Sequence, residues 1–306
     1  MKSSTLESPS NPTIRAVKIL NFLSANPLES FGLSELARRL GMNKATCLSV
    51  GRTLVAYGYL VQNEETKTYG LGPALAAVGN AANERFPVME HANAILKKLS
   101  REAGCGAMAT VLVGDQQLVI GRHGIPDPLN SISRIGLTVP LMPPFGACFV
   151  AWSSPAELGR WLEMVDTPKA ADDSNAHREL VSSIRSRGFE IYRDSKLSRR
   201  LQNALNNSGR DPESEVIKNE INNTMQVLSD SDYFVREIND ETVYPVMGIS
   251  SPVLNAEGRT EIVLGIHGFR WELTGREIKA KADCLMSAVK ETTEAIGGYL
   301  PPYQGG

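Results

Sequence analysis

The sequence has little of several features that define specialised protein classes. Its four cysteines are scattered along 306 residues, without the close pairs that zinc sites or disulfide frameworks require: Cys47, Cys105, Cys148 and Cys284. No apolar run is long enough for a membrane span, and the net charge is only -2 at pH 7. We therefore predict a cytoplasmic globular protein with reduced thiols, no cofactor and no membrane partner.

Catalytic signatures are also missing. The chain lacks a nucleophile elbow, a phosphate-binding loop, a dinucleotide fingerprint and a His-rich metal spacing. An enzyme would have to pair Cys148 or Ser250 with His267 as nucleophile and base, and no motif accompanies that pairing. Four acidic residues without the spacing of a calcium loop fit solvated surface: Asp166, Asp172, Asp173 and Asp194. We expect neither catalytic residues nor a metal site.

The length of 306 residues favours two domains. Residues 1–12 are rich in Ser, Pro and Asn and lack the apolar segment of a signal peptide, which predicts a disordered tail. We expect a small domain over residues 13–72, a linker helix over 73–86 and a larger domain over 87–306, in which the very polar stretch 195–240 looks like an insertion. The small domain carries seven basic and four acidic residues, whereas the rest is acidic, a distribution typical of local contact with DNA.

The small domain has the pattern of a winged helix-turn-helix. Apolar residues at helical spacing predict three short helices, over Thr13–Ala25, from Ser34 to Gly41 and from Asn43 to about Tyr57. Ser34 and Asn43 are the expected N-caps of the second and third helices. Two β-prone runs joined by a polar turn predict a wing hairpin, Tyr59–Gln62 and Thr68–Leu71.

The larger domain has a mixed pattern that predicts an α+β fold with an antiparallel sheet flanked by helices. The expected strands are Ala107–Val113, Gln117–Arg122, Val246–Leu254 and Glu261–Gly268. The expected helices are His91–Ala103, Ala147–Trp152, Ser154–Val165, Asn175–Arg187 and Gly275–Ile296. Within the polar stretch we predict one amphipathic helix that starts at Asp211-Pro212 and turns four side chains inward: Ile217, Ile221, Met225 and Leu228.

Several short motifs recur in an order that is known from one family. In the small domain these are Leu33-Ser-Glu-Leu-Ala-Arg-Arg-Leu-Gly41, Asn43-Lys-Ala-Thr46, Thr53-Leu54, Gly58-Tyr-Leu60 and Tyr69-Gly-Leu-Gly72. Downstream they are Val139-Pro-Leu141, Gly146-Ala147, Arg187-Gly-Phe189, Ser251-Pro-Val253 and Gly297-Gly298. In order and spacing the chain resembles the isocitrate-lyase-regulator-like (IclR) family of bacterial transcriptional regulators.

The resemblance implies a winged-helix DNA-binding domain, a linker helix that helps dimerisation and a GAF-like domain that binds a small effector. It also implies a homodimer or a dimer of dimers. Both repressors and activators occur in the family. The predicted function is a sequence-specific regulator whose binding to a pseudo-palindromic operator in double-stranded DNA is controlled by an effector.

The predicted third helix defines the candidate DNA-reading face. If Cys47, Val50, Gly51 and Leu54 point inward, the outward residues are Ala45, Leu48, Ser49 and Arg52. We expect Arg52 to read guanine and Leu48 to touch a thymine methyl group. Ser34, Lys44 and Thr46, near helix N-termini, are expected to hold phosphates.

Further basic residues are candidate DNA contacts, and the same helix face also leaves an alternative function open. Lys67 on the wing is a further candidate contact, whereas Arg38 and Arg39 are equally compatible with an ordinary charged surface. The resemblance implies stronger hydrogen-bonding residues where Ala45, Leu48 and Ser49 stand. The alternative function is therefore a ligand-sensing or partner-binding protein that no longer binds specific DNA tightly.

The candidate effector site begins at the loop before Ala147. There the N–H groups of Phe145, Gly146 and Ala147 are predicted to point off a helix N-terminus, which favours a carboxylate. The family resemblance places the effector at this loop and implies further wall residues at Tyr192, Gly248, Gly265 and His267. Met142 and Phe145 supply apolar surface. We expect a carboxylate with an apolar body, while the alternative for His267 is an ordinary buried core histidine.

Overall fold

The computed structural model describes residues 11–85, 87–124, 135–164, 170–227, 233–269 and 272–303. The chain forms two compact units. The first contains the residues up to Arg85 together with Asn207–Lys218, and the second contains the rest.

The first unit contains the predicted winged helix-turn-helix. Its helices are α1 (Asn11–Ala25), α2 (Leu33–Arg39), α3 (Lys44–Ala56) and α4 (Ala74–Arg85). Its antiparallel sheet has the order β1-β3-β2 and consists of β1 (Phe31–Gly32), β2 (Leu60–Gln62) and β3 (Thr68–Leu71). Apolar side chains from α1, α2, α3 and the wing share one core, with Leu23, Leu36, Cys47, Leu60 and Tyr69 at most 2% exposed.

Details at the helix starts differ from the sequence prediction. Asn43 caps α3 as predicted, because its side-chain oxygen accepts the backbone N–H of Thr46 at 2.8 Å. The prediction for Ser34 was wrong, since α2 begins at Leu33 with Gly32 as its N-cap and no side-chain capping bond. Helix α1 begins at Asn11, inside the predicted tail, whose residues 1–10 lie outside the described part of the chain.

The second unit is built on a six-stranded antiparallel sheet with the order β6-β5-β4-β10-β9-β7. These strands are β4 (Gly106–Val113), β5 (Gln116–His123), β6 (Thr138–Pro140), β7 (Glu190–Arg193), β9 (Val246–Leu254) and β10 (Thr260–His267). A separate two-stranded pair consists of β8 (Val243–Tyr244) and β11 (Leu273–Thr274). The predicted α+β class with an antiparallel sheet is confirmed, while the GAF-like detail stays a prediction.

Helices cover both faces of this sheet. They are α5 (Pro87–Ala103), α6 (Ala147–Val150), α7 (Pro155–Glu163), α8 (Ala170–Arg187), α9 (Lys196–Arg210), α10 (Glu215–Val227) and α11 (Gly275–Ala295). Side chains of α5 and α11 join Ile262 and Leu264 in one core, whereas α6 and α8 join Val263 in another. Neighbouring residues of β10 thus enter opposite cores, which explains why the strand reads as a continuous apolar run.

The polar stretch 195–240 contains two helices in place of the one predicted. Helix α10 turns Met225 into the core and half-buries Ile217 and Ile221, while Leu228 lies outside the described residues. Helix α9 escaped the hydrophobic pattern because polar residues share its buried face with apolar ones: Ser198, Leu201, Gln202, Leu205 and Asn206. Periodicity of apolar residues alone does not detect such a face.

The turn between α9 and α10 belongs to the first unit. Glu213 in this turn forms an ion pair with Lys18 of α1. The side-chain amide of Asn26, only 5% exposed, donates to the carbonyl oxygen of Gly209 at 3.0 Å. A segment that the sequence assigned to the larger domain therefore completes the smaller one.

Candidate functional site

The outer face of α3 is the candidate DNA-reading surface. Cys47 and Gly51 are buried, and a side-chain carbon at position 51 would lie 3.5 Å from the ring of Tyr69, so the helix packs closely on the wing. The four residues predicted to face outward are exposed or half-buried: Ala45, Leu48, Ser49 and Arg52. The helical projection made from the sequence therefore matches the solvent exposure of this face.

The basic residues of α2, α3 and the wing fall into two groups. Arg38 and Arg39 both hydrogen-bond to Glu35, at 2.7 Å each for the shortest contacts, and they lower the pKa of that carboxyl to about 2. In contrast, the exposed side chains of Lys44, Arg52 and Lys67 make no hydrogen bond or ion pair with any other described residue. These three cations are therefore free to meet an anionic partner.

Thr46 and Ser34, two of the predicted phosphate contacts, differ in whether their backbone N–H groups are already hydrogen-bonded. The N–H of Thr46 is already bonded to the cap Asn43, so only its half-buried side chain remains available. Ser34 is exposed on the first turn of α2, where backbone N–H groups lack helical partners.

The second unit contains a partly open cavity of about 100 Å³ between the sheet, α6 and the polar stretch. Five of the eight predicted effector residues line it: Phe145, Gly146, Tyr192, Gly248 and His267. Three do not, namely Met142, Ala147 and Gly265. Met142 packs against the neighbouring core and Ala147 is completely buried, whereas the bare Cα of Gly265 leaves room for the hydroxyl of Ser250.

In the loop before α6, one of the three N–H groups predicted to bind an anion is already bonded, and those of Gly146 and Ala147 stay predicted contacts. The N–H of Phe145 donates to the carbonyl oxygen of Met142 at 2.7 Å and is not free. Helix α6 has only four residues, too few for a strong dipole. Gly146 caps it with φ of +86°, and a side-chain carbon there would lie 2.3 Å from Leu141, so the position requires glycine.

The cavity wall contains one carboxyl group, that of Glu190 on β7. This residue is only 1% exposed, and the Tyr192 hydroxyl donates to its Oε1 atom. Burial raises the pKa of Glu190 to about 7. A single acidic residue in a short strand forms no motif, which is why the sequence did not reveal it.

The polar stretch also contributes to the cavity. Gln202 of α9 lines the wall and donates to the sulfur of Met247. Tyr233 lies beyond α10 and packs edge-on against Phe145 and Tyr192, with ring centroids 5.3 and 5.4 Å apart. The sequence missed both residues, and the only available signal was the polar inner face of α9.

Comparisons with known proteins agree with this architecture. The family model for the IclR helix-turn-helix domain matches residues 13–64. The HTH-type transcriptional regulator XynR of Escherichia coli is 28% identical over 184 residues, which cover 58% of this chain and 72% of that protein. Residues 13–64 therefore carry an IclR helix-turn-helix domain, and the chain is similar to HTH-type transcriptional regulators.

Solved structures of IclR regulators share the fold. The regulator from Alicyclobacillus acidocaldarius has a TM-score of 0.65 at 20% identity and covers 95% of this chain and 100% of its own. An IclR homologue from Microbacterium hydrocarbonoxydans, complexed with 4-hydroxybenzoate, has a TM-score of 0.60 at 14% identity and covers 94% of this chain and 99% of its own. The relative and the two solved structures described here are transcriptional regulators or their homologues.

The residues that an enzyme would have used have other roles in this structure. Cys148 is buried, which raises the pKa of its thiol well above the usual range, and its sulfur is directed at the carbonyl oxygen of Ser250 at 3.7 Å. The ring of His267 occupies space left by Gly106, where a side-chain carbon would lie 2.5 Å from it. A protonated thiol of this kind is not an activated nucleophile.

The remaining expectations concern thiols, metals and membranes. All four cysteines are described and are free thiols. Among the described residues, no three metal-binding side chains cluster, and Asp194 pairs with Arg199 at 2.5 Å. Asp166 and the side chains of Asp172 and Asp173 lie outside the described part. In that described part, no helix combines the length and apolar character needed to cross a membrane.

Proposed function

We propose that this regulator reads its operator with the outer face of α3, assisted by the wing. The observation that carries the proposal is the division of cations, since Arg52, Lys44 and Lys67 are free while Arg38 and Arg39 share an ion pair with Glu35. In this arrangement Arg52 reads guanine in the major groove and Leu48 contacts a thymine methyl group. Ser34, Lys44, Thr46 and Lys67 hold phosphates, and Ala45 and Ser49 lie against the base edges.

Replacement of Arg52 tests this assignment against the alternative of weak or non-specific DNA binding. After a preferred duplex has been selected from random sequences, we expect Arg52→Ala to weaken binding by about 1 to 3 kcal/mol at one base position. Fluorescence anisotropy with single-base variants of the duplex measures this loss. Arg38→Ala is the matched control and should leave the base preference unchanged. Equal affinities of wild type and Arg52→Ala for every duplex would favour the alternative.

We further propose that the cavity of the second unit is the effector site. Support comes from its concave, largely apolar wall with a few converging polar groups, which is typical of small-molecule sites. The 4-hydroxybenzoate complex of the Microbacterium homologue supports an effector of similar size, with a ring as its apolar body. The carboxylate of the predicted effector stays a prediction.

Control of DNA binding requires that the effector binds two arrangements of the protein with different affinity. We propose that these are arrangements of a homodimer or a dimer of dimers, in which the linker helix α4 sets the spacing of the two α3 helices. Because its partner is chromosomal DNA, we place its action in the cytoplasm. A metabolite library screened by thermal unfolding, followed by operator titration with each hit, tests the coupling.

A further inference from the structure

The chemistry of the cavity narrows the class of effector that it accepts. The described residues that line it include no Lys or Arg, and the one carboxyl group among them belongs to Glu190. Beside Glu190 a ligand carboxylate would meet repulsion, and the one basic side chain among the described wall residues is that of His267. The charge of the wall beside Glu190 therefore favours a ligand that is neutral or positively charged at this place.

Glu190 has an unused hydrogen-bonding atom. Its Oε1 accepts the Tyr192 hydroxyl, but Oε2 is fully buried and has no hydrogen-bond partner among the described residues. The neighbouring thiol of Cys148 is a weak donor that contacts both the Glu190 carboxyl and, at 3.7 Å, the carbonyl oxygen of Ser250, and its one proton can satisfy only one of them. A buried acceptor without a donor is costly, and a ligand that supplies the donor removes that cost.

The nearest cation does not satisfy this carboxyl. Arg187 donates to three backbone carbonyl oxygens, those of Phe189 at 2.7 Å, Arg236 at 2.9 Å and Val235 at 3.2 Å. No salt bridge joins Glu190 to a described basic residue. The guanidinium therefore holds the backbone; its charge lowers the pKa of Glu190, but it forms no hydrogen bond with Oε2.

We propose that the effector presents an amine or a hydroxyl group to Glu190, and that its apolar body fills the remaining cavity. A ligand carboxylate does not occupy the place beside Glu190. This inference rests on the proposed function, because it takes the cavity to be the effector site. A hydroxyl group of the ligand would donate a hydrogen bond to the buried carboxyl of Glu190. A charged amine would form a stronger, charge-assisted bond than a hydroxyl group does.

A panel of four small ring compounds tests the proposal: benzylamine, benzyl alcohol, toluene and benzoate. Their binding to the full chain is measured by calorimetry at about pH 8, where Glu190 is mainly ionised. We expect benzylamine and benzyl alcohol to bind more tightly than toluene, and benzoate to bind most weakly. The affinity for benzylamine should exceed that for toluene by at least about tenfold.

Two variants assign that preference to Glu190. Glu190→Gln keeps the shape and removes the charge, so the affinity for benzylamine should fall about tenfold while that for toluene stays unchanged. Glu257→Gln, in an exposed turn of the same unit, is the matched control and should behave as wild type. Should Glu190→Gln fail to fold, Tyr192→Phe is the second test. It removes the hydroxyl that donates to Glu190, so the carboxyl has more need of a ligand donor and the affinity for benzylamine should rise.

The outcomes separate this inference from the proposed function. Tightest binding of benzoate, or an unchanged benzylamine affinity in Glu190→Gln or Tyr192→Phe, overturns the role of Glu190 but leaves the cavity as a ligand site. Failure of all four compounds to bind wild type overturns the inference together with the effector site. The test of Arg52 on DNA is independent of both results.

Discussion

At the scale of single residues, Glu190 couples the stability of the second unit to pH. Its carboxyl is buried, and burial raises its pKa from 4.5 to about 7. The folded state therefore binds the proton more tightly than the unfolded chain does. This contribution to stability is fully present below about pH 4.5 and is lost as the pH rises through about 7.

We expect Glu190→Gln, which does not titrate, to remove this part of the pH dependence. Between about pH 5 and pH 8 the wild type should lose roughly 2 to 3 kcal/mol of unfolding free energy more than the variant. Urea denaturation at both pH values measures the difference. Glu257→Gln should follow the wild type, and parallel curves for wild type and Glu190→Gln would contradict a buried, titrating carboxyl.

At the scale of elements, the wing turn has a charged side chain at a position where glycine would be less strained. Lys67 has a φ of +55°, a left-handed conformation that glycine adopts more easily, yet it places a free cation at the tip of the hairpin. The proposed phosphate contact gives a reason for a lysine at this position.

Lys67→Gly should separate the two effects. We expect it to raise the unfolding free energy by up to about 1 kcal/mol, because the backbone strain disappears, and to weaken binding to all DNA sequences alike. Thermal unfolding and anisotropy at two salt concentrations measure both. Lys67→Ala loses the charge and keeps the strain, so it should share only the loss of affinity. Unchanged DNA affinity in both variants would remove Lys67 from the interface.

Helices and strands were predictable where apolar residues repeat regularly. The sequence predicted α3 with its cap Asn43, and it predicted β9 at its exact bounds. It missed β1 and β8, since strands of two residues are defined by their partners and carry no pattern of their own. It also missed α9, whose buried face is partly polar.

The candidate sites were predictable to different degrees for a related reason. The outward face of α3 follows from helical geometry alone, because a helix fixes the direction of each side chain. The cavity is assembled from residues distant in the chain, such as Gln117, Glu190 and Tyr233, and no local spacing reports their proximity. The sequence and the family resemblance supplied five wall residues but not the carboxyl of Glu190.

At the scale of the whole molecule, a dimer requires a matching symmetry in the operator. We expect footprinting of the selected duplex to show two protected half-sites, related as a pseudo-palindrome and separated by about 10 base pairs or a multiple of it. Insertion of about five base pairs between them should abolish tight binding, because it rotates one half-site to the opposite side of the duplex. A single protected half-site with no effect of the insertion would contradict the dimer.

The two-segment construction of the first unit also bears on how the protein is made. During translation, residues up to Arg85 are synthesised well before Asn207–Lys218. The first unit therefore lacks its final segment while much of the other unit is being synthesised. During this interval the buried amide of Asn26 lacks the carbonyl oxygen of Gly209, although it retains that of Phe22. A gene fragment that ends at Arg85 encodes the same unfinished state permanently.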